Sequence, residues 1–250
     1  MTVSGPIAIV TGGGSGIGRA VALGLAQDGY RVVIAGRRLA LLQEVAAEAP
    51  TQITPFACDL TRPEEVNALF DTVARDFGRL DLLFNNAGVS GPPCLLEDMS
   101  PADWLRVLDI NVNGLFYCTQ AAFRIMKAQA PQGGRIINNG SISATTPRPN
   151  SIAYTAAKHA VAGMTKATAL DGRKYRIGCG QIDIGNAQTS MATAMQQGTL
   201  QADLSTRPEP MLDLACVVSA IRCMASLPLE AVVQSMTVLP VGMPSFVGRG

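Results

Sequence analysis

Tyr154 and Lys158 stand four residues apart in Tyr154-Thr155-Ala156-Ala157-Lys158, within a run of good helix formers extending towards Leu170. On a helix this spacing puts both side chains on one face. A phenol ordinarily titrates near 10, too high for ready proton exchange at neutral pH, and a nearby ammonium favours the phenolate by direct attraction. The pair therefore has the composition of a general acid/base. Read alone, each has an ordinary explanation, a half-buried packing residue and a solvated helix charge.

A second constellation lies near the start. Thr11 to Gly18 reads TGGGSGIG, after an apolar β-branched run at 7–10 and ahead of an amphipathic stretch. A strand turning abruptly into a helix leaves backbone N–H groups free at the helix N-terminus, and glycines let a pyrophosphate approach them. Gly12 is expected to make the turn, Gly16 to admit the phosphates and Gly18 to allow close helix packing. A glycine-rich match alone is weak, and a flexible loop is the competing explanation.

Three further segments sharpen the pattern. Asn85-Asn86-Ala87-Gly88 follows an apolar run at 80–84, Ser141 follows Ile136 and Ile137, and Tyr154 comes thirteen residues after Ser141. The set resembles the short-chain dehydrogenase/reductase family from Thr11 to at least Thr189, with the motifs in the family's order and approximate spacing. The resemblance implies a catalytic group of Asn111, Ser141, Tyr154 and Lys158. Tyr154 is then the proton donor to a carbonyl and the acceptor from an alcohol, and Lys158 also binds the nicotinamide ribose. Ser141 is the hydrogen-bond donor to the reacting oxygen, as in an oxyanion hole; Ser143 is its rival but fits the spacing less well. Asn111, in Asn111-Val112-Asn113-Gly114, matches the helix asparagine whose backbone holds a water in a relay to Lys158.

For the cofactor, the resemblance implies contacts from Gly12, Ser15, Gly16, Ile17 and Gly18, from Tyr154 and Lys158, and from Gly185 and Thr189 near the carboxamide. Asp59 and Leu60 match positions that meet the adenine, although Asp59 could equally cap a helix. Asn85, Ala87 and Gly88 match the segment lining the adenosine side and stabilising the sheet centre, Gly88 being small because backbone lies close to cofactor there. NAD-selective relatives usually carry an acid after the second strand. Here the position is Gly36, followed by Arg37 and Arg38. Without that carboxylate nothing repels a ribose 2′-phosphate, and two guanidiniums can fork onto it, so NADP(H) is the expected cofactor, with NAD(H) the alternative. Both arginines could instead simply begin an exposed helix. Ser15 stands where some NADP-selective relatives carry a basic residue. Asp183-Ile184-Gly185 replaces the family's common Asn-Pro-Gly, which removes proline's fixed φ from that loop.

Short apolar runs at 7–10, 31–35, 51–57, 80–84, 135–139, 178–183 and 235–239 alternate with helix-length segments. That pattern predicts an α/β fold, one doubly wound Rossmann-type domain over 1–250 with a seven-stranded parallel sheet flanked by helices. The ligand should lie beyond the strands' carboxyl ends. Thr61-Arg62-Pro63-Glu64 reads as a capped helix start and Gly78 as its end, and Ser100-Pro101-Ala102-Asp103 repeats the device. Residues 186–210 differ in texture and correspond to the family's variable substrate loop. Met191, Met195, Leu200 and Leu204 are its apolar candidates, with Pro92, Pro93, Cys94, Leu95 and Leu96 as an opposite wall. An uncharged, modestly apolar carbonyl or secondary alcohol is the expected substrate.

The formal net charge is +1, with no basic run to meet a phosphate backbone, which disfavours nucleic acid. No apolar stretch is long enough to span a bilayer, and the residues ahead of the first strand are too few for a secretory signal. A soluble, cytoplasmic protein without a membrane partner is the expectation. The six cysteines lack paired metal-site spacing and read as small buried side chains, so no metal is expected. His159, the one histidine, reads as a helix-surface or packing residue. The family usually forms homodimers or homotetramers. Leu115, Phe116, Phe123 and Met126 form a stripe that could serve core or interface, and the tail at 240–250 is expected to cross a subunit boundary. A cofactor-sensing regulator without turnover is the reading from another class, and the Ser141, Tyr154 and Lys158 set argues against it.

Overall fold

Alternation along short strands decides the architecture. In β1 (Ile7–Thr11) the side chains of Ala8 and Val10 enter one buried cluster while Ile7 and Ile9 enter another, and β2 (Arg31–Gly36) divides in the same way. A strand buried on both faces must be covered on both, so helices pack above and below. In the computed structural model, which describes residues 5–189 and 198–243, α1 (Gly16–Gln27), α2 (Leu39–Glu48) and α7 (Leu214–Ser226) cover one face. On the other face lie α3 (Pro63–Phe77), α5 (Gly114–Ala128) and α6 (Ile152–Gly172).

The remaining strands of the sheet are β3 (Ile53–Ala57), β4 (Leu82–Asn85), β5 (Gly134–Asn139), β6 (Ile177–Ile184) and β9 (Ser235–Val238). Their order is β3-β2-β1-β4-β5-β6-β9, with parallel pairing throughout. This is the doubly wound Rossmann-type sheet expected from the sequence. Chain direction across the sheet reverses between β1 and β4, and a crevice opens at such a switch point. Pro55 is tolerated because β3 is an edge strand.

Several local expectations shift. Thr51 and Gln52 form a turn instead of opening β3, since Gln52 and Ile53 donate their N–H groups back to the Ala49 carbonyl. Thr61 does not cap α3. Its N–H and hydroxyl are held by the Asp59 carboxylate, and the helix opens one residue later at Pro63 behind Arg62. Gly78 does end α3, in the left-handed conformation at φ 73°. Ser100 caps α4 (Pro101–Leu108) by accepting the Asp103 N–H at 3.0 Å.

Three cysteines, Cys58, Cys118 and Cys179, are buried as expected, and burial pushes the thiols of Cys58 and Cys179 up to about 12. Cys216 and Cys223 depart from that expectation, being exposed on α7. The α5 stripe divides: Leu115 and Met126 enter the core, whereas Phe116 is 47% exposed. No described helix is long and apolar enough to cross a membrane, and no cluster suited to a metal ion occurs among the described residues.

Candidate active site

The loop from β1 into α1 is built by close contacts that side chains would prevent. A Cβ on Gly18 would lie 2.2 Å from the Gly12 carbonyl oxygen, so the first turn of α1 rests directly on the loop's entry. Gly12 and Gly16 both adopt positive φ, +66° and +52°. Ser15 occupies the N-cap position but its side chain makes no capping bond, so it does not take up the first-turn N–H groups of Gly16, Ile17 and Gly18. Donors at a helix N-terminus behind a backbone without side chains fit a dinucleotide's pyrophosphate.

Thr11 joins this loop to the exit of β4. Its buried hydroxyl accepts the N–H groups of Asn86 at 2.9 Å and Ala87 at 3.1 Å. Asn86 Nδ2 donates to the Thr11 carbonyl at 3.0 Å, and Asn86 Oδ1 accepts from Asn139 Nδ2 at 3.0 Å. The ends of β1, β4 and β5 are thereby tied into one rim, although sequence reasoning gave Thr11, Asn86 and Asn139 no role of their own.

Asn85, a sequence-predicted cofactor residue, is turned inward. Its side chain is buried and donates to Thr119 Oγ1 at 3.0 Å and Asn138 Oδ1 at 2.9 Å, at the sheet centre. Leu60 is likewise buried in the core against Gly114 and has only its main chain to offer a ligand. Gly88 also has a reason within the protein itself. A Cβ there would meet Asn111 Oδ1 at 2.9 Å, because the Asn111 amide pairs with both backbone groups of Val89, at 2.8 and 2.7 Å.

Asp59 Oδ1 accepts the Thr61 N–H and hydroxyl at 3.0 and 2.8 Å. Burial raises its carboxyl, but those bonds and the charges of Arg37 and Arg62 outweigh burial and hold it below the ordinary range. Asp59 therefore braces its own turn and does not cap α3, whose N-cap position is Arg62. Arg37 and Arg38 are exposed where β2 passes into α2. Gly185 packs under Leu239, Pro240 and Met243, and Thr189 lies against the glycine loop, its Cγ2 being 3.2 Å from where a Gly16 Cβ would stand.

Asn111 lies in a π turn, Asp109–Asn113, between α4 and α5, where Gly114 N–H reaches back five residues to the Asp109 carbonyl. Such turns take carbonyls off the regular helical ladder and frequently mark functional sites. The π turn packs against α6. On α6, Lys158 is 6% exposed, donates to the Asn139 carbonyl at 2.7 Å and stands 5.5 Å from the centroid of the Tyr154 ring. The expected shared helix face is present, and its ammonium is anchored two residues before Ser141. Ser141 Oγ accepts the Ser143 N–H at 3.1 Å, so the rival serine serves to orient Ser141, whose own O–H can still donate. His159 is exposed, with Nδ1 2.9 Å from the Thr155 carbonyl.

Asp183 replaces the first residue of the family's Asn-Pro-Gly. Its Oδ1 accepts from Ser141 N–H at 2.8 Å and Gln181 Nε2 at 2.7 Å. Burial raises its carboxyl, with those bonds and the Lys158 charge opposing. Without proline, β6 runs through Ile184, which is in register with Val238 of β9.

Beyond β6 the chain forms a strap. Residues 198–210 contain a hairpin of β7 (Thr199–Leu200) and β8 (Thr206–Arg207), and behind it Glu209 is buried. Glu209 Oε2 accepts from Arg148 Nη2 at 2.5 Å and Asn186 Nδ2 at 2.6 Å, and Oε1 accepts from Gln201 Nε2 at 2.9 Å. Leu204, an expected pocket residue, is 71% exposed at the hairpin tip, whereas Leu200 is half-buried. Leu95 and Leu96, expected as an opposite wall, are exposed. Met191 and Met195, and the tail beyond Met243, lie outside the described residues.

Comparison with known proteins shows the family and the fold. The profile of the family described as short chain dehydrogenase matches residues 6–199. A 3beta-hydroxysteroid dehydrogenase of Mediterraneibacter gnavus is 36% identical over 204 residues, 80% of this chain and 71% of that protein. A cyclohexanol dehydrogenase of an Acinetobacter species is 34% identical over 197 residues, 78% of each chain. Among solved structures, a 3-ketoacyl-(acyl-carrier-protein) reductase from Brucella melitensis complexed with NADH superposes with a TM-score of 0.85 at 26% identity, covering 94% of this chain and 97% of that one. An actinorhodin polyketide ketoreductase with NADPH gives a TM-score of 0.85 at 25% identity, covering 95% and 97%. The chain belongs to the short-chain dehydrogenase family and is an NAD(P)-dependent oxidoreductase.

Proposed function

We propose that the protein interconverts an uncharged ketone and a secondary alcohol with a preference for NADP(H), and that Tyr154 is the general acid/base. The observation that carries this reading is the buried Lys158 ammonium, held by the Asn139 carbonyl beside the Tyr154 ring at the approach to Ser141. A nicotinamide dinucleotide, held by Gly12, Ser15, Gly16, Ile17, Gly18, Ala87, Gly88, Gly185 and Thr189, supplies hydride transfer when bound. In reduction the Tyr154 hydroxyl gives its proton to the carbonyl oxygen, and in oxidation it takes one from the alcohol. The Ser141 hydroxyl donates to that oxygen as negative charge develops on it. The Lys158 ammonium balances the charge left on Tyr154 and binds the nicotinamide ribose. Asn111 holds the π turn in place through Val89, so that its backbone can hold the relay water behind Lys158.

Ring alcohols are the first substrates to try, since two relatives are named for acting on them. A panel of alicyclic and open-chain ketones and alcohols, assayed with both cofactors, tests the reading. Stoichiometric change of NADPH or NADP is the expected result, and binding of cofactor with no turnover across the panel favours a dinucleotide-sensing regulator instead.

Selectivity rests on Arg37 and Arg38, exposed beyond β2 with no acid at Gly36. A charge-assisted hydrogen bond contributes about 1.5–3 kcal/mol, and solvent exposure discounts the two guanidiniums to about the value of one such bond, so the double change to Ala is expected to lower kcat/KM for NADPH about 10- to 100-fold and to leave NADH nearly unaffected. Equal losses with both cofactors, or wild-type kcat/KM no higher with NADPH, favour the NAD(H) reading. A homodimer or homotetramer formed through α5 and α6 is supported by the exposed Phe116 and Leu170, and sedimentation as a monomer counts against it.

A further inference from the structure

Asp183 is a buried carboxylate on the last turn of β6 into the crevice, and the proton-transfer scheme above makes no use of it. Its Oδ1 is fixed from one side by Gln181 Nε2 at 2.7 Å and accepts from the other the main-chain N–H of Ser141 at 2.8 Å. Gln181 is not loose either. Its Oε1 lies 3.3 Å from the Thr165 hydroxyl, whose one proton is directed mainly to the Val161 carbonyl at 2.8 Å, and that hydroxyl accepts from Asn138 Nδ2 at 2.9 Å. Thr165 belongs to α6, the helix that carries Tyr154 and Lys158. Firm bonds run from Gln181 through Asp183 to the backbone of Ser141, and Gln181 packs against Thr165 of α6. The fit around it is close: a Cβ at Gly140 would fall 2.1 Å from Asp183 Oδ1 and 2.6 Å from Gln181 Nε2. Ser141 itself sits at φ −170°, extended; its hydroxyl and carbonyl are bonded by the following turn, through Ser143 N–H and Ala144 N–H, and its own N–H is held by Asp183.

We infer that Asp183 is a positioning residue for Ser141: by accepting the Ser141 N–H it sets the distance between the Ser141 hydroxyl and the Tyr154 hydroxyl carried by α6. The inference rests on the reading that Ser141 meets the reacting oxygen. It assigns Asp183 the part of a hydrogen-bond acceptor, not a proton carrier, so what matters is an oxygen at the Oδ1 position. An oxyanion donor is effective only when it is held where charge develops, and small misplacements cost catalysis steeply.

The test compares Asp183→Ala, Asp183→Asn, Ser141→Ala and the double variant Asp183→Ala/Ser141→Ala, using the ketone turned over fastest and NADPH. D183A is expected to lower kcat by about tenfold or more while NADPH affinity, read by fluorescence titration, stays within about twofold. D183N keeps an acceptor oxygen and is expected to recover most of that loss, with an unshifted pH profile. In the S141A background, D183A is expected to add little, because residues acting as a unit are not additive. Independent multiplication of the two effects, a D183N as impaired as D183A, or a D183A with wild-type kcat overturns the inference. Should D183A lose its cooperative thermal transition, Asp183→Ser, which stays polar but cannot reach the Ser141 N–H, carries the same expectation. Wild-type kcat in S141A overturns the reading of Ser141 and this inference with it, whereas S141A impaired and D183A unimpaired removes the inference alone.

Discussion

Tyr154→Phe is expected to lower kcat by about 100- to 10,000-fold, the usual range for removing a general acid/base. The substitution deletes one oxygen and keeps the ring, so the contact with the Lys158 ammonium, 5.5 Å from the ring centroid, persists. Lys158 also keeps its bond to the Asn139 carbonyl, and the rim formed by Thr11, Asn86 and Asn139 does not involve the phenol. NADPH affinity should therefore change little, and the loss should fall on turnover. Steady-state rates beside a fluorescence titration check this. A Y154F enzyme with wild-type kcat would remove the acid/base assignment, and a collapse of cofactor binding would make the hydroxyl's contact with the cofactor its main role.

Glu209→Gln is the substitution with the largest expected effect on stability. The side chains of Arg148 and Glu209 are 13% and 5% exposed, and Arg148 Nη1 is buried with no hydrogen-bond partner. Whether such a pair adds net stability over an apolar replacement is a separate matter. Removing one partner, however, strands the other charge in a poorly solvated place, at a cost of about 3–5 kcal/mol. Asn186 and Gln201 share the same carboxylate, so loss of the charge loosens the strap against both the β6 exit and the loop preceding α6. A lower Tm and faster proteolysis within the strap are expected, together with a raised substrate KM. The pH dependence has a definite sign. Burial raises the Glu209 carboxyl, yet the bonds from Gln201 and Asn186 and the Arg148 charge hold it below its ordinary range. Its stabilising contribution is therefore present above the unfolded value of about 4.3 and fades as pH falls through the lower folded value. The gap in Tm between wild type and E209Q should shrink along that acid limb, and a gap that widens there would contradict the ion-pair account.

The sheet was legible because its strands are buried on both faces and so read as short apolar runs between helix-length segments. All seven runs lie in β1 to β6 and β9, and the misplacements are at ends, where a turn such as that at Thr51 and Gln52 takes the backbone donors. The proximity of Tyr154 and Lys158 was legible for the same kind of reason, a helix period acting over four residues. What escaped depends on contacts between segments far apart in the chain. That Gly88 makes room for the Asn111 amide, that Asn85 turns inward to Asn138, and that Asp183 receives the Ser141 N–H are each settled by a partner tens of residues away. The strap's hairpin escaped for another reason: two-residue strands carry too little alternation to be seen, and Leu204 faces outward at a turn in positive φ where an apolar residue gives no warning. The wide turn at Asp109–Asn113 has no signature of its own, since its residues also suit an ordinary helix.

That wide turn also sets a helical phase. Because α4 and α5 run on through it, the surplus residue fixes how far the second helix is rotated relative to the first. Each residue of an α-helix advances the azimuth by about 100° and the rise by about 1.5 Å. A one-residue deletion within 109–113 would restore even hydrogen bonding yet swing Cys118, Ala122 and Met126 off the sheet. Length in this segment is therefore constrained as tightly as the identity of Asn111, and replacements at the exposed Asn113 should be tolerated where shortening is not.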